Sequence, residues 1–348
     1  MSNEIIFFTG FLLFVFTMLA LDLGVFGKKS EIVTLKQAGI MSLIWVCFAL
    51  LFYGLIHNYG HLLHGITTYD QLVEVTQRNL HHIDLLPGDF AGSLQVYNHN
   101  LSLEFITGYL IEYALSVDNI FVIVLIFAAF GVDERQYHRV LFWGILGAVV
   151  MRFAFIFLGA SLITRFEWVL YIFGAFLLYT GISMLFSGDD EKIDTENHKV
   201  VKFASKYFAI HPQFEGNKFF IKIDGKKLVT PLFVVLLVIE FTDLIFAVDS
   251  IPAIFSVTKD AYIVFFSNIF AILGLRSMFF LLMNIIHKFH YLKTGLAFIL
   301  GFIGAKMLGE KWLHEWGFST AMSLYIIIGI LIISVSASLL FPKRHKTL

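Results

Sequence analysis

Two of the longest apolar runs in this chain are interrupted by acids, and few folds tolerate that. The stretch "IEYALSVDNIF" (Ile111–Phe121) carries Glu112 and Asp118. "IEFTDLIFAVDSIP" (Ile239–Pro252) carries Glu240, Asp243 and Asp249 among Leu, Ile, Phe and Val. On a membrane-insertion scale each acid at mid-helix costs about 2.5–3.5 kcal/mol, so five unpaired ones would cost on the order of 12–18 kcal/mol. Such groups must be protonated, paired with a cation or facing water.

That the runs are membrane spans follows from length and composition. About 20 apolar residues cross a bilayer's hydrocarbon core, and nine stretches qualify: roughly 5–26, 36–57, 101–130, 139–162, 166–187, 229–257, 262–285, 291–309 and 319–341. The 348 residues are 58% hydrophobic and only 15% charged, far from the composition of a soluble domain. The expected fold is therefore all-α: a polytopic helix bundle of about nine transmembrane helices in a lipid bilayer. A net charge of −1 and the lack of a basic patch argue against nucleic acid as a partner. The single cysteine, Cys47, excludes an internal disulfide and any multi-cysteine metal site. Glu4 precedes the first run while Lys28 and Lys29 follow it, which reads as an uncleaved first helix.

Basic residues orient the bundle. Lys28, Lys29, Lys36, Arg135, Arg139, the eight lysines from Lys192 to Lys227, Lys288, Lys293, Lys343, Arg344 and Lys346 fall in one set of alternate segments. Only Arg78, Arg165, Lys259 and Lys311 fall in the other. The positive-inside rule then puts the N-terminus outside and the C-terminus inside, as an odd number of spans requires. The chain divides into two N-terminal spans (1–57), an extracytoplasmic insert (58–100), three spans (101–187), a cytoplasmic loop (188–228), three more spans (229–310), and a last span with a basic tail (311–348). Within the loop, Asp-Gly in "KFFIKIDGKKL" marks a hairpin turn.

The two three-span units are copies. Pairing "SVDNI" (116–120) with "AVDSI" (247–251) matches Glu112 to Asp243 and Asp118 to Asp249. "GAVVMR", ending at Arg152, falls beside "AILGLR", ending at Arg276, and "TGISML" (180–185) falls beside "IGAKML" (303–308). Units of three spans enter the membrane in opposite directions, giving an inverted repeat of the kind that builds secondary transporters with midplane sites.

Glu240 and Asp243, three residues apart, share a helix face. Asp118 and Asp249 each lie six residues past an acid, about 120° around a straight helix, so one common site calls for broken helices. Pro252 would break the sixth span and free carbonyl oxygen beside Asp249; Ser116 to Asn119 marks the corresponding place in the third. Arg152 and Arg276 are the protein cations at depth. The acids, six with Asp22, outnumber them. The other polar groups are the Asn119 and Asn268 amides and the Ser116 and Ser250 hydroxyls, without His or Cys. Hard oxygen donors suit Mg²⁺, Ca²⁺ or Mn²⁺, or protons on the same acids.

"GYLIEYALSVDNIFV", "VIEFTDLIFAVDSIPAIFSVTKD" and "SNIFAILGLR" resemble the TerC/Alx family of bacterial membrane proteins, the tellurium-resistance type within the LysE-like transporter superfamily. The likeness runs from Ala20 to about Leu308. It implies manganese homeostasis, chiefly Mn²⁺ efflux across the bacterial inner membrane. Glu112, Asp118, Glu240, Asp243 and Asp249 would then be the metal-binding acids, with Asn119, Ser116, Ser250, Asn268 and Asp22 supporting them and Arg152 and Arg276 as charge partners. Ca²⁺ or Mg²⁺ fits the same donors. Residues 66–99 are longer than the usual family link and have no role by that resemblance.

His57, His61 and His64, with His81, His82 and His99, could form an external cation-capturing patch; an interfacial helix end is the plainer reading. The run "DDEKIDTE" (189–196) reads as solvated loop, and a cytoplasmic protein docking on 188–228 is the alternative role in a metal or tellurite resistance complex. No Walker-type loop is present, and paired aspartates lack the Gly-x-Gly-Asp context of an intramembrane protease, so the chain is expected to be a carrier or metal-binding scaffold and not an enzyme.

Overall fold

The computed structural model describes residues 3–26, 33–186, 201–283 and 291–341, apart from positions 82, 167, 203–204, 207, 224, 310–311 and 314–315 within those ranges. Among the described residues ten α-helices follow one another: α1 (Asn3–Phe26), α2 (Leu35–Tyr59), α3 (Tyr69–Arg78), α4 (Phe90–Phe130), α5 (Glu134–Arg165), α6 (Trp168–Phe186), α7 (Pro231–Phe255), α8 (Ala261–Met283), α9 (Leu292–Leu308) and α10 (Thr320–Leu340). Eight of them are long and apolar enough to cross a membrane. Of the nine expected spans the remaining one is α9, whose 17 residues reach about 25 Å.

Local signals set the helix ends. Thr34 and Gln37 close a capping box on α2, and Asp133 and Gln136 close one on α5. Gly131, at φ +62°, ends α4 in the left-handed conformation, so α4 and α5 are joined by a tight reversal. The expected hairpin forms between β1 (Phe220–Ile223) and β2 (Lys226–Val229), paired antiparallel around Gly225 at φ +79°. It packs back on the bundle: Arg139 lies over the Phe219 ring at 4.9 Å, and Gln136 donates to the Gly216 carbonyl. The acidic run 189–196 lies outside the described residues, as do Lys28, Lys29, Lys192, Lys199, Lys288, Lys311, Lys343, Arg344 and Lys346 of the orientation argument.

Helix α8 is the hub. It is buried over 94% of its apolar window and packs against α4, α2 and α5. Much of the phenylalanine is spent there. Phe11 meets Phe266 with centroids 4.5 Å apart and Phe52 meets Phe270 at 4.9 Å, docking α1 and α2 on α8 through ring contacts.

The two units, α4–α6 and α7–α9, pack as an inverted repeat should. Helix α4 lies against α8, α5 against α7, and α6 against α9, a pattern that survives exchange of the units. The α6–α9 seam shows the exchange residue by residue. A Cβ at Gly174 would meet the Gly304 carbonyl at 3.2 Å, and one at Gly181 would meet the Ala297 carbonyl at 2.7 Å. The repeat alignment pairs Gly174 with Ala297 and Gly181 with Gly304, so each contact is the other's image. Small residues let helix backbones approach where lipid gives no hydrophobic drive.

A bulky side chain in that seam must force the units apart. The variant Gly304→Leu, whose new Cβ would lie 2.5 Å from the Leu178 nitrogen, is expected to cost about 3 kcal/mol or more, read as a lower melting temperature in detergent. Gly329→Leu on α10, with nothing within 4 Å, should leave it unchanged.

Candidate functional site

Where the units meet, one guanidinium gathers four helices. Arg152 of α5 is fully buried. Its Nη1 donates to the Glu112 carboxylate of α4, to Asn268 Oδ1 of α8 at 2.9 Å and to Ser250 Oγ of α7 at 3.3 Å. Nη2 donates to Asp243 Oδ1 of α7 at 3.3 Å. Asn268 Nδ2 in turn donates to Glu112 Oε2 at 3.1 Å. Arg152 and Glu112 belong to the first unit, and Asp243, Ser250 and Asn268 to the second. Only a planar fork of five donors can serve so many acceptors from one side chain.

The cluster is incompletely satisfied. Asp243 Oδ2, Asn119 Nδ2, Ser116 Oγ and Arg152 Nε are buried without a hydrogen-bond partner. Asn119 and Asp243 also line a cavity of about 30 Å³ with Thr242, Gly144 and apolar groups from α4, α5, α7 and α8, room for a water or one dehydrated ion. It lies on the α4–α5 turn side of Arg152, since Ile123, Leu141, Ile239 and Leu275 line its floor.

The other acids stand apart from this centre. Asp249 accepts a hydrogen bond from Thr180 of α6 and lies within electrostatic reach of Asp118. Glu240 occupies a niche that exists because position 147 is glycine; any Cβ there would overlap its carboxylate. Among the described residues no three His, Cys, Asp or Glu side chains converge closely enough to hold a metal ion.

The helices explain the separation. Both α4 and α7 run unbroken through the polar stretches, contrary to the expected breaks. Pro252 falls in the last turn of α7, where three residues remain before the cap at Ser256 and a missing donor costs little continuity. On unbroken helices the 120° offset persists, so Glu112 and Asp243 pair through Arg152 while Asp249 meets Thr180 within electrostatic reach of Asp118. Arg276 is buried beside Trp45, His138, Ser277 and Phe280. Asp22 falls near the end of α1, and its side chain lies outside the described residues. Thr180 was missed by sequence reasoning; its place in "TGISML" beside the repeat match was the available signal.

A second buried polar network crosses the insert. His64 bonds Glu4 Oε1 through Nδ1 and Asp260 Oδ2 through Nε2, both at 2.8 Å, and Arg78 donates to Glu4 Oε1 at 2.7 Å. Glu104 takes His81 Nδ1 at 2.9 Å, Asn100 Nδ2 at 2.7 Å and the Thr258 hydroxyl at 2.5 Å. The five of the six histidines that are described do not make one patch. His57 pairs with Ser102, His61 with Asn98, and the helix is interrupted at Gly60; His82 lies outside the described residues. Burial alone would push the His64 imidazole down, but the charges and hydrogen bonds of Asp260 and Glu4 outweigh it and raise it to about 9. Burial likewise opposes, and Glu104 reverses, the shift of His81, which ends raised. Asp260, despite burial, is held below the usual carboxylate range by His64.

Fold and site together define a polytopic membrane protein of two inverted three-helix units that meet on a buried, arginine-clamped carboxylate cluster. The profile of the TerC integral membrane protein family matches residues 97–346, and the chain belongs to that family. It is 42% identical over 338 residues to the uncharacterized membrane protein STKORF319 of Myxococcus xanthus, covering 97% of this chain and 93% of that one. It is 40% identical over 337 residues to Alx of Escherichia coli K12, whose name proposes a membrane-bound redox modulator, covering 97% and 95%. An uncharacterized membrane protein of Rickettsia bellii is 39% identical over 336 residues, covering 97% and 96%. No solved structure matches.

The insert network has a pH signature. A group raised in the folded state adds stability below its unfolded value, near 6.5 for histidine, and loses it as pH rises through the folded one. Stability should therefore fall from about pH 6.5 to about 9, where His64 deprotonates. Thermal unfolding across that range should show the decline in the wild type and a flatter profile in His64→Gln.

Proposed function

We propose that the protein is a secondary transporter that exports a hard divalent cation, with Mn²⁺ as the best candidate. The observation that carries the reading is the clamp itself: carboxylates from both units converge on one cation, Arg152, beside a cavity toward which Asp243 and Asn119 offer unpartnered polar atoms. A site that holds a guanidinium between two carboxylates can hold another cation there. Carboxylate, amide and hydroxyl oxygens favour Mn²⁺, Mg²⁺ or Ca²⁺ over softer ions. Family resemblance selects Mn²⁺ and the outward direction.

In this reading Asp243 and Asn119 meet the ion from the α4–α5 turn side, which is cytoplasmic by the distribution of basic residues. Glu112, Ser250 and Asn268 take it over as Arg152 withdraws. Asp118, Asp249 and Thr180 form a second polar group along the seam with α6, and Glu240 offers a further carboxylate below Asp243. One unit rocking against the other about the α6–α9 seam would alternate access. Lipid surrounds the bundle and the protein is not an enzyme.

The name of the Alx relatives suggests a second reading, a redox role. A dithiol–disulfide couple within one chain is ruled out by the single cysteine, Cys47, exposed on α2. A third is a metal-binding scaffold or sensor, with the 188–228 loop docking a cytoplasmic protein.

Mn²⁺ uptake into inside-out vesicles decides among them. The export reading expects saturable uptake by the wild type that falls at least about tenfold, or about 1.4 kcal/mol, in Asp118→Asn and in Asp249→Asn. Mn²⁺ binding without uptake would favour the scaffold or sensor and end the transporter reading.

A further inference from the structure

The repeat alignment makes a prediction about the clamp that its present geometry fulfils only by half. It pairs Arg152 with Arg276, Glu112 with Asp243, Ser250 with Asn119 and Asn268 with Gly144. Arg152 is seated on Glu112, Asp243, Ser250 and Asn268. Exchanging the two units turns that set into a second seat, made of Asp243, Glu112, Asn119 and the space over Gly144. That second seat is where the small cavity lies: Asn119, Gly144 and Asp243 all line it. Its polar atoms are the ones left over, Asp243 Oδ2 and the Asn119 amide, which can present either end. A Cβ at Gly144 would find only Ile239, at 3.6 Å, so the place opposite Asn268 is open.

Arg276 is positioned to reach it. Helix side chains lean over the turn N-terminal to their own Cα, and for Arg276 that turn contains Ile272 and Leu275, both of which line the cavity. At present Arg276 lies on the neighbouring side of α8 beside Trp45, His138 and Ser277. In inverted-repeat carriers the opposite-facing state is reached when each unit takes up the other's conformation. Under that exchange Arg276 enters the cavity as Arg152 withdraws.

We infer that Arg152 and Arg276 are alternating counter-cations, each filling the carboxylate cluster in one of two opposite-facing states of the carrier. The inference rests on the transporter reading for its purpose but not for its test. In each state one arginine neutralises Glu112 and Asp243 while the other half of the cluster is open to the cargo. The arginines are positioning residues: they set which half of the site is accessible and keep an empty carrier from crossing with bare carboxylates.

The test reads accessibility in the full chain reconstituted in liposomes, and needs no metal movement. In a Cys47→Ala background, Ala148→Cys puts a single thiol on the cavity wall, and Gly144→Cys supplies a second position. The probe is a small methanethiosulfonate reagent. Arg152→Gln should shift the population to the Arg276-filled state and slow labelling. Arg276→Gln should empty that state and leave labelling at or above the parent rate, the two differing by about tenfold, a modest population shift for loss of a buried ion pair. If Arg152→Gln fails to insert, Arg152→Lys, which keeps the charge without the fork, should shift the rate in the same direction by less. Equal rates, or shifts of the same sign from both arginines, would overturn the inference. Opposite shifts in a protein that moves no Mn²⁺ would uphold it while sinking the proposed cargo.

Discussion

A single guanidinium spanning two structural units is the interaction on which this membrane protein turns. Arg152 and Glu112 are fully buried, and burying such ions is expensive unless their bonding is nearly complete. Here the expense is offset by acceptors from both units, Asp243, Ser250 and Asn268 as well as Glu112. Removing the arginine would leave carboxylates uncompensated, a loss of about 3–5 kcal/mol for a buried pair. The clamp therefore does more than neutralise charge. It fixes the relation of one three-helix unit to the other.

Everything else in the bundle serves that meeting place. Glycines bring α6 and α9 into backbone contact, so the units share a close seam. Phenylalanines hold α1 and α2 on α8, shielding the helix that supplies Asn268. Gly147 is absent of side chain where the Glu240 carboxylate must sit. On the insert side, His64 ties α1 to the α7–α8 connection, and Thr258 ties that connection to Glu104 on α4. Residues 58–100 thus brace the ends of the helices that carry the cluster.

Much of this was legible in the amino-acid sequence. Apolar runs declare spans because the bilayer imposes a length, and acids inside them stand out because each is costly. The inverted repeat was visible for the same reason, through Glu112 and Asp243, Asp118 and Asp249, and Arg152 and Arg276. What could not be read was which of these meet. Spacing alone left Asp118 and Asp249 a third of a turn from the other acids, and broken helices offered one way to reunite them; the helices are unbroken, and Asp249 stays apart from the Arg152 cluster. Glu104 and Asp260 escaped notice because they fall at the ends of apolar runs, where an acid looks ordinary. Their importance comes from His81 and His64, more than twenty residues away in the chain, and only folding brings those together.

The central claim is that the carboxylates at the repeat interface hold a divalent cation. Anomalous X-ray diffraction at the manganese edge, from crystals grown with Mn²⁺, tests it most directly. The account predicts a peak between the units, either in the cavity beside Asp243 and Asn119 with Arg152 still seated, or beside Glu112, Ser250 and Asn268 with Arg152 displaced. A Mn²⁺ peak elsewhere, with Arg152 still bridging Glu112 and Asp243, would contradict it.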